Sequence, residues 1–112
     1  MRVLLPTRKR WILSLQPEGN LILDDGAVEA VVDGRKNIWA VGVFRIEGVF
    51  ETRDAVAIMN KEGIEVARAL VNFSSEECIR LKGKRSTSEG GGDPLCDRDN
   101  VVVLKDRTHH AT

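Results

Sequence analysis

The sequence predicts a mainly β fold with two short helices, a small barrel or curled mixed sheet closed at its ends by those helices. Three observations carry this reading. Short apolar runs recur at close spacing between turn residues. Two segments switch to helical spacing, each behind residues suited to cap a helix. At 112 residues with 42% hydrophobic content, the chain can bury one small core and amounts to one domain.

Residues 1–10 read as a linker or start segment, because Pro6 and the triplet Arg8-Lys9-Arg10 disfavour a regular central element. Trp11, Leu13 and Leu15 alternate with Ile12, Ser14 and Gln16, which predicts a first strand. Pro17-Glu18-Gly19-Asn20 is a turn signal, and Leu21 to Leu23 is a short apolar run. Asp24 and Asp25 offer N-cap oxygens to a short helix over about residues 25–33, with Ala27, Val28, Ala30 and Val31 at helical spacing and Gly34 as its stop. The β-branched valines are weak helix formers, so packing must hold this helix.

Ile38 to Glu47 reads as a long strand interrupted by Gly42, where a bulge or a close backbone approach is expected. Glu51 to Asp54 is a polar turn. Ala55 to Met59 is the next strand, with Val56 and Ile58 on one face. Asn60-Lys61-Glu62-Gly63 is a hairpin loop, and Ile64 to Phe73 returns as the partner strand. Ser74-Ser75-Glu76-Glu77 is a capping box that opens a helix closed by Gly83. Residues 84–94 form a glycine-rich loop. Val101 to Leu104 is a last strand, and the tail over 105–112 is expected to fray.

Lysine plus arginine and aspartate plus glutamate both number 17, so formal net charge is zero. That balance argues against strong nonspecific phosphate binding. The distribution is uneven. Residues 1–17 carry four bases and no acid; residues 18–65 carry ten acids against five bases, a net of −5. Arg80, Lys82, Lys84 and Arg85 add a second basic run. These runs make a basic face only if the two ends of the chain meet in space; otherwise they are solvated surface.

Cys78 and Cys96 match no zinc or CxxC spacing, and both are expected to be free thiols in a reducing, cytoplasmic setting. No apolar run approaches a membrane span, and no signal peptide is expected. Asp24-Asp25 lacks the further ligands of a metal site, and capping explains it. His109-His110 lacks them too, so no metal is expected there. Gly90-Gly91-Gly92 fits neither phosphate-binding glycine motif. Ser74 and Ser75 have no histidine placed to activate them.

Two places suit binding. Gly34, Arg35, Lys36 and Asn37 offer two cations, an amide and a glycine turn, which suits phosphate or sugar contacts. The same residues also suit a solvated loop whose cations complement a helix C-terminus. Arg98, Asp99 and Asn100 enter the last strand, as an Asx-type turn with a local ion pair or as the edge of a binding surface.

The order of side chains from about Trp11 to Leu104 closely resembles the PUA domain of bacterial glutamate 5-kinases. The matching blocks are Leu21-Ile22-Leu23-Asp24-Asp25-Gly26-Ala27-Val28, Val41-Gly42-Val43-Phe44-Arg45-Ile46-Glu47-Gly48-Val49-Phe50 and Glu65 to Glu77, followed by Asp97-Arg98-Asp99-Asn100. The resemblance implies a PUA-like pseudo-β-barrel over residues 11–104. Two departures stand out. The segment Ser86 to Pro94 is shorter than in the family, and Ala69 stands where the family commonly has glycine.

The resemblance also implies function. The kinase domain that binds ATP and glutamate has no counterpart in this sequence, so the chain alone is not expected to be an enzyme, and ATP and Mg²⁺ are expected only with that domain. The implied role is a noncatalytic regulatory or interaction module in proline biosynthesis, with the parent's kinase domain as partner. Structured RNA is a further implied ligand, at Gly34, Arg35, Lys36, Asn37, Arg98 and Asn100. A free-standing RNA-binding module and a self-associating one are the alternatives.

Overall fold

The computed structural model describes residues 7–82 and 93–104. Five strands form one mixed sheet in the order β2-β1-β3-β4-β5. β1 (Gly19–Leu23) and β2 (Val43–Gly48) are antiparallel, with Leu21 opposite Ile46. β1 runs parallel to β3 (Ala55–Met59), with Leu21 opposite Ile58. β4 (Glu65–Leu70) and β5 (Val101–Val103) complete the sheet by antiparallel pairing. Three helices pack on it: α1 (Thr7–Ser14), α2 (Asp25–Val32) and α3 (Ser75–Lys82).

The mainly β class and four of the five strand positions follow the sequence reading. The third helix does not. Trp11, Leu13 and Leu15 alternate as a strand would, yet Thr7–Ser14 is helical. The reason is tertiary. The sheet has a second apolar face at Ala55, Leu70 and Val102, and fully buried Ile12 covers it, with Leu13 and Leu15 packed alongside. Alternation had placed Ile12 with the polar set. Residues 7–10 are therefore helix rather than linker. Gly19 and Asn20, read as turn, belong to β1.

The main cluster joins Leu21, Leu23, Val31, Ile38, Phe50, Val56 and Ile58. β3 is buried on both faces, since Ala55 and Ala57 are covered as well as Val56 and Ile58. The long strand expected over 38–47 is broken. Ile38 makes an isolated antiparallel pairing with Cys96, Ala40–Gly42 is a 3-10 turn, and only Val43–Gly48 joins the sheet. Gly42 sits at the break because the backbone meets α2 there. A Cβ on it would lie 2.8 Å from the Ala27 Cβ, and its carbonyl accepts the Asp24 N–H at 2.9 Å.

The capping box forms as the spacing demands. The Glu77 N–H donates to Ser74 Oγ at 3.2 Å, and the Ser74 N–H donates to Glu77 Oε1 at 3.1 Å. Asp24 does not cap α2 with its side chain. Its carboxylate faces Lys61 Nζ at 3.7 Å instead. The expected stop at Gly83, the glycine-rich loop around 84–92, and the tail from Lys105 with His109-His110 lie outside the described residues.

Candidate ligand cleft and its surroundings

Helix α2 ends in a turn that aims cations outward. The Gly34 N–H closes on the Glu29 carbonyl at 3.3 Å and the Lys36 N–H on the Ala30 carbonyl at 3.1 Å. The left-handed residue is Arg35, at φ 53°, not the glycine before it. Gly34 is needed for space: a Cβ there would lie 2.8 Å from the Ala30 carbonyl oxygen. A left-handed arginine costs about 1–2 kcal/mol relative to a right-handed one. The turn thus holds Arg35 and Lys36 exposed, just past the end of the helix.

The other half of the cleft comes from the far end of the chain. Asn37 Oδ1 accepts the Arg98 N–H at 2.7 Å, which ties the α2 exit to the 3-10 turn Arg98–Asn100. The Leu95 N–H donates to the Ile38 carbonyl at 2.7 Å and reinforces the junction. Helix α1 then packs against β4 and β5 and adds Lys9. Its ammonium donates to the Val101 carbonyl at 2.8 Å.

The result is a cleft of about 310 Å³ lined by Lys9, Arg35, Lys36 and Arg98, with one acid, Asp99, and an apolar floor of Val31, Val101 and Val103. Four cations against one carboxylate make a local positive field on a chain of zero net charge. This arrangement suits a phosphate-bearing or carboxylate-bearing ligand held by exposed cations above an aliphatic surface.

Of the six residues singled out from sequence, Arg35, Lys36 and Arg98 line the cleft together. Asn37 positions Arg98 from behind. Gly34 shapes the turn. Asn100 is only 7% exposed, and its Oδ1 accepts from Arg8 Nη1 at 3.1 Å, so its side chain is spent on holding α1. Asp99 lines the cleft and forms no local ion pair with Arg98 among the described residues. Lys9 was missed as a site residue. The signal was the basic run at the N-terminus, whose meaning depended on the two chain ends coming together, as α1 and β5 do.

The two cysteines are buried and free. Burial, with the Glu77 carboxylate adding, pushes the Cys78 thiol up to about 12. Burial also pushes the Cys96 thiol well above its ordinary value, with Cys78 and Asp97 adding. Both are neutral packing groups at physiological pH. Among the described residues no cluster of three His, Cys, Asp or Glu side chains is arranged to hold a metal ion. No described helix is long and apolar enough to cross a membrane.

A family model described as "PUA domain" matches residues 19–88. Two curated relatives, both called glutamate 5-kinase, are 46% identical over 103 residues (from Thermosynechococcus vestitus) and 44% identical over 108 residues (from Gloeobacter violaceus). The matches cover 86% and 89% of this chain but only 28% and 29% of those proteins. A PUA domain from Aeropyrum pernix, solved as a tartrate complex, shares the fold at a TM-score of 0.62 and 22% identity, over 71% of this chain and 41% of that one. A chain of the archaeal box H/ACA sRNP Nop10–Cbf5 complex aligns at 0.53 and 25%, over 72% of this chain and 25% of that one.

Proposed function

The chain belongs to the PUA domain family, and from that membership we propose that it is the noncatalytic PUA module of a glutamate 5-kinase. One observation carries the reading. The identity to glutamate 5-kinases reaches 46% and spans nearly nine tenths of this chain, while the chain spans little more than a quarter of their length. In this reading the rest of the parent protein, in the cytoplasm, transfers phosphate from ATP to glutamate toward proline. ATP and Mg²⁺ bind there. The module contributes regulation or a contact surface. In an ATP-dependent transfer assay with glutamate, the folded 112-residue chain alone is expected to form no ADP above background. Turnover by the purified chain would overturn the reading.

A second reading, binding of structured RNA, is favoured by the cleft of Lys9, Arg35, Lys36 and Arg98. The structural neighbour in an archaeal box H/ACA sRNP complex supports it. Cations on phosphates give affinity that falls with salt. Arg35→Ala and Lys36→Ala are each expected to weaken binding across sequences and to lower the salt slope by roughly one. The measurement is a fluorescence titration with a structured RNA at several salt concentrations. Lack of binding at low salt, or an unchanged slope in both variants, would remove this reading.

A further inference from the structure

On the far side of α2 from the basic cleft lies a second groove, of about 460 Å³, between that helix and the β3–β4 turn. Its floor is aliphatic: Val28 and Val32, half-buried against the core, and buried Val66. Its rim is acidic. Asp25, Glu29 and Asp33 follow one another at four-residue intervals along α2, and Glu62 faces them from the turn. Among the described residues no cation lines the groove. Lys61 lies next to it in sequence but is engaged with Asp24 at 3.7 Å and with the Phe44 ring at 4.9 Å.

The same chain exposes a surface of the opposite character. Thr7, Arg10, Trp11 and Ser14 share one outward face of α1, with Arg8 at its edge, and α1 contains no acid. Trp11 is 52% exposed, unusual for an indole on a small domain. Arg10 has no ion-pair partner among the described residues, and Arg8 keeps donors beyond its single bond to Asn100.

We propose that the valine-floored groove is a docking surface for α1 of a second copy of this chain. The Trp11 indole sits on Val28, Val32 and Val66, and the Arg8 and Arg10 guanidinium groups meet the carboxylates of Glu29, Asp33 and Glu62. Guanidinium forks pair well with carboxylates, and a buried indole supplies roughly 150–250 Å² of contact area. Zero net charge removes the general repulsion that would keep copies apart, while the segregated charges set the orientation. Groove and helix are different patches, so the contact is head-to-tail, and each copy keeps a free groove at one end and a free α1 at the other.

The test is sedimentation velocity on the 112-residue chain over a concentration series. Concentration-dependent association is expected, weakening at least roughly tenfold between about 0.05 M and 0.5 M salt. The groove variant Glu29→Lys with Asp33→Lys and the helix variant Arg10→Glu with Trp11→Ala should each be monomeric. All four positions are exposed, and circular dichroism checks that both variants fold. Mixed together, they should form a one-to-one pair and nothing larger, because the first retains an intact α1 and the second an intact groove. A wild-type monomer at every concentration would overturn the proposal. So would association unchanged in either variant, or a mixture that stays monomeric.

Discussion

Phe50→Ala is expected to destabilise the domain by about 3–5 kcal/mol, a large share of the roughly 5–15 kcal/mol available to a small domain. Phe50 is 1% exposed in the main cluster. It also joins two elements through its backbone. Its N–H donates to Ser75 Oγ at 3.2 Å, and its carbonyl accepts the Ser75 N–H at 2.9 Å. The ring lies against Gly19, so close that a Cβ there would sit 2.7 Å from the ring's Cδ2. Truncation leaves a cavity walled by β1 backbone, which cannot collapse inward without breaking the β1–β2 register. Urea unfolding should show a lower midpoint with an unchanged slope. Phe44, 46% exposed on β2 with Lys61 Nζ over its ring, provides the contrast: Phe44→Ala should cost no more than about 1 kcal/mol. Equal costs at the two positions would contradict the packing described.

Gly48→Ala carries the second large effect, about 2–5 kcal/mol, from two sources. The backbone at Gly48 has φ 87°, where an L side chain costs about 1–2 kcal/mol. An ideal Cβ there would also lie 2.9 Å from the Gly19 Cα and 3.0 Å from the Glu18 carbonyl, so backbone must shift, at about 1–3 kcal/mol. Gly19 and Gly48 face each other as the first pair of the β1–β2 ladder. Gly63 separates the two sources. Its φ is 86°, yet a Cβ there meets nothing within 4 Å. Gly63→Ala should therefore cost only the conformational part, about 1–2 kcal/mol. Thermal or urea unfolding of the two variants tests the difference, and similar losses would show that the close approach is unimportant.

The sequence was most legible where local chemistry decided structure. β3 and the Ser74–Glu77 capping box lie where spacing places them, because alternation, a hairpin turn and a reciprocal cap all act over a few residues. It was least legible where distant residues decided. Thr7–Ser14 became helix because the outer face at Ala55, Leu70 and Val102 required a cover, and nothing within that segment announces this. Gly34 and Arg35 make a related point. Gly34 was read as the stop of α2 and does close it, but the space beside the Ala30 carbonyl is what requires a glycine there, and the left-handed angle falls on Arg35.

The cleft shows both sides of this. Arg35 and Lys36 were visible as neighbouring cations beyond a helix. Their partnership with Arg98 depends on a bond across 61 residues, from Arg98 to Asn37, and Lys9 joins through a contact across 92 residues. Composition suggested weak electrostatics because acids and bases cancel over the whole chain. They do not cancel locally: cations gather beyond the C-terminal exit of α2, and acids line the groove along the helix.

The account turns on the proposal that this is a noncatalytic module of a glutamate 5-kinase. The most direct measurement is the steady-state rate of ATP-dependent glutamate phosphorylation by the full-length parent, with and without residues 7–104, at increasing proline. Without the module, the basal rate should persist and inhibition by proline should shift. Loss of basal transfer from a folded protein, or an inhibition curve unchanged by the deletion, would contradict the account.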